Sequence, residues 1–289
     1  MARKLLTMLG LACLVGVVVR CGGLEAQQKK ARKGRKRVSG EGGTERVTYK
    51  TVGDLELTLE IDLPKGDGPF PVIIYIHGGG WRGGNDKQFL QQSCHLTKRG
   101  IAGARINYRK VPQGGNFKDT MQDCMDAIDY IRQNAARYKI DMTRVGLAGG
   151  SAGGHLSAIA AQRTPECILY VGFNGGYDLA DPGKSNWPND KLKEQFLGGT
   201  SEEILKDASA VYQVKTTPPD TLLLHGTKDT TIDPIQCEHF AKVIREKGGR
   251  CEIKLYEGEK HAFFNPNKPK YEATRQALED HAVRVFGIK

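Results

Sequence analysis

Two kinds of hydrophobic pattern run along the first half of the chain. Residues 45–50 and 55–63 alternate apolar with polar side chains, which is typical of antiparallel strands with one solvated face. Residues 71–76 form a continuous apolar run rich in β-branched side chains, which indicates a strand covered on both faces. Residues 101–108 predict the next strand, and residues 144–148 a further short buried one.

Helical patterns separate these strands. Residues 86–98 and 154–161 read as helices, and residues 117–136 are amphipathic. The apolar stripe of this third helix is interpreted as core and not as a ligand site; it consists of Met121, Cys124, Met125, Ile128 and Ile131. Strand and helix in alternation predict the α/β class, with a mostly parallel, twisted sheet covered by helices on both faces.

The second half continues this arrangement around an insertion. Residues 221–224 and 251–256 predict two more strands of the sheet. The segment 179–219 lies between sheet strands and carries Trp187, Phe196 and Tyr212. We expect it to form a small cap over a pocket.

The amino terminus has the pattern of an export signal. Arg3 and Lys4 precede the nearly continuous apolar run 5–19, and Ala26 is a possible cleavage position. This run is shorter than the roughly 20 residues that a membrane helix needs. We therefore expect residues 1–26 to be a cleaved signal peptide. The protein is then expected to be secreted or periplasmic and to have no membrane span.

Charge separates the next segment from the rest of the chain. Residues 29–37 carry seven positive charges, and residues 27–46 as a whole have a net charge of +6 and few apolar side chains. Such a composition predicts a disordered basic linker, so the folded domain would span residues 47–289. Of the total net charge of +10, only about +2 then belongs to this domain. A solvated linker is the simplest interpretation, and contact with an anionic polymer or membrane surface is the alternative.

The cysteines point to no metal site. Five remain after residue 26, without a C-x-x-C pair or metal-type spacing: Cys94, Cys124, Cys167, Cys237 and Cys251. An odd number leaves at least one thiol without a partner in this chain. One disulfide is possible, and the sequence does not choose its members.

The stretch Gly149–Gly153 carries the first chemical signal. It fits G-x-S-x-G, and it lies between the strand 144–148 and the helix 154–161. A serine on such a sharp turn is a nucleophile elbow, for which Gly149 and Gly153 leave the necessary room. Ser151 is therefore the predicted nucleophile. The alternative is an ordinary loop rich in glycine and serine.

Three glycines after the strand 71–76 suggest a site for negative charge. His77-Gly78-Gly79-Gly80-Trp81 leaves backbone N–H groups uncovered. We expect Gly79, Gly80 and Ala152 to form an oxyanion hole. The alternative is a flexible glycine turn.

A serine hydroxyl needs a base to take its proton and an acid to orient that base. Three of the seven histidines lie in predicted helices: His95, His239 and His281. His155 is expected to pack in the core or to cap the helix after Ser151. His77 and His225 are expected to stabilise the turns that follow their strands. His261 follows the strand 251–256 and a polar loop, which suits a mobile base.

Asp229 and Asp233 compete for the acid. Asp229 lies just beyond the strand 221–224, whereas Asp233 precedes a proline at a helix start, where capping is its natural role. Asp229 is therefore the predicted acid. The resulting order of serine, aspartate and histidine is that of the α/β-hydrolases.

These motifs, in this order, resemble the esterases related to hormone-sensitive lipase, and especially the bifunctional feruloyl and acetyl xylan esterase-like family. The resemblance covers about residues 50–289 and includes Asn107-Tyr108-Arg109, His225-Gly226-Thr227-Lys228-Asp229 and Glu259-Lys260-His261-Ala262-Phe263. Gly150 stands where the lipase-like relatives carry Asp, which favours the xylan-esterase-like side. The resemblance implies an α/β-hydrolase fold and a serine esterase.

The predicted reaction is hydrolysis of a small-molecule or polysaccharide ester through an acyl-enzyme, without a metal or organic cofactor. Trp81 and Phe263 are the candidate substrate-binding side chains. An arylformamidase-like amide hydrolase is the first alternative, because that group also carries His-Gly-Gly-x-Trp; a thioesterase or lactonase is another. An inactive hydrolase scaffold that only binds is a rival of a different class. Nucleic acid is not an expected partner, and the sequence does not predict the oligomeric state.

Overall fold

The computed structural model describes residues 42–184 and 187–288. The predicted signal segment 1–26, and the predicted linker as far as residue 41, lie outside the described residues. The described strands are β1 (Gly43–Val52), β2 (Leu55–Leu63), β3 (Phe70–Ile76), β4 (Ala102–Ile106), β5 (Ile140–Gly150), β6 (Cys167–Phe173), β7 (Asp220–Gly226) and β8 (Cys251–Tyr256). The described helices are α1 (Leu90–Thr97), α2 (Phe117–Gln133), α3 (Ala135–Tyr138), α4 (Ala152–Arg163), α5 (Asp190–Leu197), α6 (Glu202–Asp207), α7 (Ile235–Glu246) and α8 (Tyr271–Phe286).

All eight described strands form one sheet in the order β1-β2-β4-β3-β5-β6-β7-β8. The β1–β2 and β2–β4 pairs are antiparallel, and every pair from β4 to β8 is parallel. The carboxyl ends of β3, β5, β6, β7 and β8 therefore meet at one edge of the sheet. In open α/β sheets this edge is where ligands bind.

Burial follows the hydrophobic patterns of the sequence. In β2 the alternate residues Leu57, Leu59 and Ile61 are buried, whereas Val72–Ile76 of β3 are buried without interruption. The difference reflects position in the sheet, because β3 is central and β2 lies next to the edge strand. The strands predicted from alternating and continuous patterns are confirmed.

Strand β1 corrects the predicted boundary between linker and domain. It begins at Gly43, so residues 43–46 of the predicted linker 27–46 belong to the sheet. Gly43 pairs with Leu63, and the side chains of Thr44 and Arg46 bond to carboxylates of β2. Backbone pairing and these side-chain hydrogen bonds stabilise the first residues of β1. Because these interactions leave no apolar pattern in the sequence, the start of the strand was not predicted.

The amphipathic helix predicted over 117–136 is α2, which ends at Gln133 and is followed by the single turn of α3. The Asn116 side chain caps its first turn by accepting a bond from the Asp119 N–H at 3.0 Å. Met121, Cys124 and Ile128 are buried against the sheet. The interpretation of this stripe as core is confirmed.

The segment between β6 and β7, where the sequence predicts a cap over 179–219, contains α5, α6 and a one-turn 3₁₀ helix at Ala210–Gln213. Its anchor is Phe196, which is fully buried and stacks on Trp81 with ring centroids 4.2 Å apart. Leu192 and Leu205 are also buried. These described residues of the segment therefore share the core of the domain.

All five cysteines of the described chain are free thiols. Four are buried, and Cys94 is exposed. The possible disulfide is therefore not formed among the described residues.

Candidate active site

Ser151 lies in a tight turn between β5 and α4. Its φ of 55° and ψ of −125° are a backbone conformation that residues other than glycine rarely adopt. Its N–H donates to the Phe173 carbonyl at 2.9 Å, and its own carbonyl accepts from the His155 N–H at 3.1 Å. The strained backbone is thus held from both sides, as strained functional turns are.

Glycine is required on both sides of this turn. A Cβ on Gly153 would lie 2.1 Å from the Ile76 carbonyl oxygen, and one on Gly149 would lie 2.3 Å from the Gly153 carbonyl oxygen. Both obstacles are backbone atoms, which cannot rotate away. The room that the sequence analysis assigned to these glycines is therefore used.

We expect Gly153→Ala to destabilise the fold by about 3 kcal/mol or more, because its Cβ must displace β3 or α4. Denaturant unfolding of purified protein measures this change. Gly83→Ala is the matched control: its Cβ would have only the Gly79 carbonyl oxygen nearby, at 3.8 Å. Equal free energies of unfolding for the two variants would contradict the prediction.

The structure brings His261 and Asp229 to Ser151. His261 Nε2 lies 2.9 Å from Ser151 Oγ, and His261 Nδ1 lies 2.7 Å from Asp229 Oδ2. The three residues follow β8, β7 and β5, so they meet at the carboxyl edge of the sheet although they are far apart in sequence. This geometry is that of a serine, its base and the orienting acid.

Asp229 is held as a carboxylate. Its Oδ1 accepts the N–H groups of Thr231 and Ile232 at 2.9 and 3.0 Å, and its Oδ2 also lies 3.2 Å from His225 Nε2. Burial alone would raise the pKa of this carboxyl, but the hydrogen bonds from His225 and His261 outweigh it and bring the pKa well below its usual range. An ionised Asp229 only accepts, so His261 Nδ1 carries the proton and Nε2 is free to receive the one from Ser151.

The rival acid, Asp233, has the capping role expected of it. Its Oδ1 accepts from the Ile235 N–H at 3.0 Å and its Oδ2 from the Lys184 N–H at 2.7 Å. Both of its oxygens are used by backbone groups.

Asn174 is a side chain beside the triad that the sequence analysis missed. It follows β6, is fully buried and has a φ of +39°. Its Nδ2 lies 3.3 and 3.4 Å from the two ring nitrogens of His261, and its Oδ1 has no hydrogen-bond partner in the described part of the chain. An asparagine after a strand is an ordinary turn signal, so nothing in the sequence singles it out.

The loop Gly78–Gly80 lies directly against the nucleophile turn. A Cβ on Gly78 would be 3.1 Å from Ser151 Cβ and 2.6 Å from the Gly150 carbonyl oxygen. The Gly78 N–H donates to Gln88 Oε1 at 2.7 Å. By contrast, the N–H groups of Gly79, Gly80 and Ala152 donate to no acceptor within residues 42–184 and 187–288. Uncommitted donors beside Ser151 suit a developing oxyanion.

His77 and His155 have the structural roles that were expected. His77 lies 2.7 Å from the Gly78 carbonyl oxygen and stacks on Tyr108, while His155 Nε2 lies 2.6 Å from the Ala208 carbonyl oxygen. Burial lowers the pKa of each imidazole to about 4. Both rings are therefore neutral at physiological pH.

This burial predicts acid sensitivity of the fold. In the unfolded chain these two histidines take up protons below about pH 6.5, whereas in the folded chain they do so only near pH 4. The free energy of unfolding should therefore fall from pH 6.5 to about 4, by on the order of 3 kcal/mol for each histidine. Urea unfolding at several pH values measures the slope, and His155→Gln should reduce it. An unchanged slope in that variant would contradict the prediction.

The two candidate substrate-binding side chains lie in the core. Trp81 is fully buried between Phe196 and Trp187, and Phe263 is 2% exposed and packs on Tyr256. Both side chains are therefore buried in this structure, and their role in substrate binding stays a prediction. Sequence spacing shows that an aromatic residue is close to the site, but not which way its ring points.

An open groove of about 390 Å³ adjoins the glycine loop. It is lined by Gly78, Gly79, Gly84, Asn85, Lys87, Gln88, Asn265 and Pro266. A larger cavity of about 690 Å³, between α2 and the insertion, contains none of the predicted site residues. The smaller groove therefore adjoins the glycine loop that lies against Ser151.

A match to a known family model assigns the family. The BD-FAE family model matches residues 59–244. The chain belongs to the BD-FAE family. This match confirms the predicted resemblance to bifunctional feruloyl and acetyl xylan esterase-like proteins.

Several proteins similar to this BD-FAE chain are esterases by name. A probable isoprenylcysteine alpha-carbonyl methylesterase of Arabidopsis thaliana, ICMEL1, is 26% identical over 254 residues, which cover 79% of this chain and 53% of the relative. Esterase LipQ of Mycobacterium tuberculosis is 28% identical over 237 residues, covering 75% of this chain and 56% of LipQ. The chain spans about half the length of the curated relatives that it matches.

A solved structure covers more of the BD-FAE chain. Thermogutta terrifontis esterase 2, phosphonylated by sarin, superposes with a TM-score of 0.76 at 26% identity, over 84% of this chain and 95% of the esterase. The same esterase has been solved with propionate and with butyrate bound. The predicted α/β-hydrolase fold is confirmed, and the relatives and the solved structure named here are esterases. No helix within the described ranges is long and apolar enough to cross a membrane.

Proposed function

We propose that the protein hydrolyses carboxylic esters through an acyl-enzyme on Ser151. One observation carries the proposal: His261 Nε2 stands 2.9 Å from Ser151 Oγ while its Nδ1 stands 2.7 Å from the Asp229 carboxylate. A hydroxyl, a base and an ionised acid in this relation are the parts that acyl transfer requires. The esterase relatives and the family support the same class.

His261 takes the Ser151 proton as the oxygen attacks the ester carbonyl carbon. Asp229 stabilises the imidazolium that results. The N–H groups of Gly79, Gly80 and Ala152 hold the oxyanion, and His261 then gives its proton to the leaving alcohol. Water then attacks the acyl-enzyme carbonyl as His261 takes its proton, and His261 returns that proton to Ser151 Oγ as the C–O bond to the acid breaks.

We propose that the substrate is a short-acyl ester or a carbohydrate-linked ester such as an acetyl or feruloyl ester. The propionate and butyrate bound by Thermogutta terrifontis esterase 2 support a short acyl group. The groove beside Gly79 supports a polar alcohol, because Asn85, Lys87 and Asn265 line it with hydrogen-bonding groups.

One hydrolysis panel tests this choice. It contains acetylated xylan, a feruloyl ester, aryl esters of short and long acids, and N-formylkynurenine. We expect the highest kcat/KM for short acyl esters. Preference for N-formylkynurenine would instead favour the arylformamidase-like alternative, which rests on the His77–Trp81 motif.

A serine-directed phosphonate separates an enzyme from an inactive binding scaffold. Intact mass should increase by one adduct, and peptide mapping should place it on Ser151. A folded protein that acquires no adduct would favour the binding scaffold.

We also propose that residues 1–26 direct export. Amino-terminal sequencing of protein recovered from outside the cytoplasm should begin after residue 26. Salt-dependent retention on an anionic polymer, with and without residues 29–37, tests whether the basic tract binds such partners.

A further inference from the structure

The acid of the triad contacts a second histidine, which the proposed mechanism does not use. His225 ends β7 and is fully buried. Its Nε2 lies 3.2 Å from Asp229 Oδ2, the same oxygen that faces His261 Nδ1 at 2.7 Å. One carboxylate oxygen is thus shared by two imidazole rings.

The surroundings of His225 set the position of its proton. Nε2 hydrogen-bonds to the Ile232 carbonyl oxygen at 3.0 Å and also lies within 3.2 Å of Asp229 Oδ2. Nδ1 faces the Cys237 thiol at 3.2 Å. Because a carbonyl and a carboxylate only accept, Nε2 carries the proton, and Nδ1 can accept the weak S–H donor. A neutral His225 in this tautomer satisfies all of these contacts.

We propose that His225 is a positioning residue for the triad: its Nε2–H, which the Ile232 carbonyl accepts, lies close enough to Asp229 to help hold the carboxylate and to draw part of its charge away from His261. The inference rests on the proposed function, because it concerns the acid of that triad. The backbone donors of Thr231 and Ile232 fix Oδ1, whereas His225 and His261 are the side chains that contact Oδ2.

The proposal predicts the direction in which the pH dependence of kcat/KM changes. Without the His225 donor, Asp229 would interact more strongly with His261, which favours the imidazolium. The acid limb of the kcat/KM profile should then move to higher pH. A residue that only filled space would leave this limb where it is.

The other titratable groups near this contact are few among the described residues. Asp229 faces His225 on β7 and His261 after β8. Cys237 on α7 faces His225, and Cys251 and Glu238 act electrostatically on that thiol. Burial raises the pKa of the Cys237 thiol well above its usual value, so it stays neutral across the range tested.

Two amide variants of the full chain form the test. His225→Gln has an amide nitrogen at about the reach of Nε2 and so keeps a donor for Asp229. His225→Asn is one methylene shorter and loses it. His225→Leu is a second donor-free variant, in case the Asn variant does not fold. For each, thermal unfolding is measured, the His261 Cε1–H signal is titrated by NMR, and kcat/KM is measured against pH.

We expect the His261 titration midpoint to rise by about half a pH unit or more in the Asn or Leu variant and to stay near the wild-type value in the Gln variant. Equal midpoints in all variants, or equal shifts in the Gln and Asn variants, would overturn the proposal. The NMR titration does not need turnover. A wild-type protein without esterase activity would thus reject the proposed function, while the midpoints still decide the role of His225.

A double-mutant cycle with Asp229→Ala adds a second readout. If His225 acts through Asp229, His225→Asn should lower kcat about tenfold or more in the wild-type background and much less once Asp229 is absent. The same loss in both backgrounds would also overturn the proposal.

Discussion

Replacing Ser151 by Ala is expected to lower kcat about a million-fold, if the triad acts as a unit. Ser151 Oγ is the atom that His261 Nε2 faces at 2.9 Å, and alanine leaves no oxygen to form the acyl-enzyme. Substrate binding should change little, because one oxygen is lost and the backbone donors of the glycine loop remain.

The measurement combines initial rates on a short-chain aryl ester with intact mass after phosphonate treatment. Ser157→Ala is the matched control, since Ser157 lies in α4, directly after the nucleophile turn, and its Oγ donates to the Gly154 carbonyl oxygen at 3.2 Å. That variant should keep its activity and its adduct. Turnover by Ser151→Ala, in a preparation shown to be free of contaminating esterase, would remove Ser151 from the mechanism.

The parts of the fold that were predicted are those whose cause is local in the sequence. The continuous apolar run in β3 and the turn glycines Gly149 and Gly153 each impose one structure on a short segment. β8 was predicted with its observed bounds, Cys251–Tyr256. The spatial convergence of Ser151, Asp229 and His261 follows from such local elements, because parallel strands bring their carboxyl ends to one edge.

The parts that were missed depend on partners distant in sequence. Trp81 is buried because Phe196, more than a hundred positions later, stacks on its ring. The contact of His225 with Asp229 depends on the path of the turn after β7, although their separation of four positions is visible in the sequence. Asn174 approaches His261 only once β6 and β8 are placed in the sheet. The sequence patterns predicted the positions of strands and helices better than the directions of individual side chains.

Asp229→Asn should lower kcat about ten-thousand-fold with little change in fold, by analogy with the equivalent change in trypsin-type enzymes. The Asn carbonyl oxygen can still accept from the Thr231 and Ile232 N–H groups, which now hold Asp229 Oδ1. The amide NH₂ then faces His261 Nδ1 and donates to it. His261 must place its proton on Nε2, where it points at Ser151 and cannot act as the base.

Asp233→Asn is the control for this experiment, because it makes the same chemical change four positions later. Asp233 caps α7 through its Oδ1, and asparagine caps a helix about as well as aspartate. Its kcat should therefore stay close to the wild-type value, while circular dichroism and thermal unfolding show both variants folded. If Asp233→Asn lost the activity and Asp229→Asn kept it, the acid would have been assigned to the wrong carboxylate. Because both variants lose one negative charge at this end of the sheet, the difference between their kcat values measures the contact with His261 and not the change in net charge.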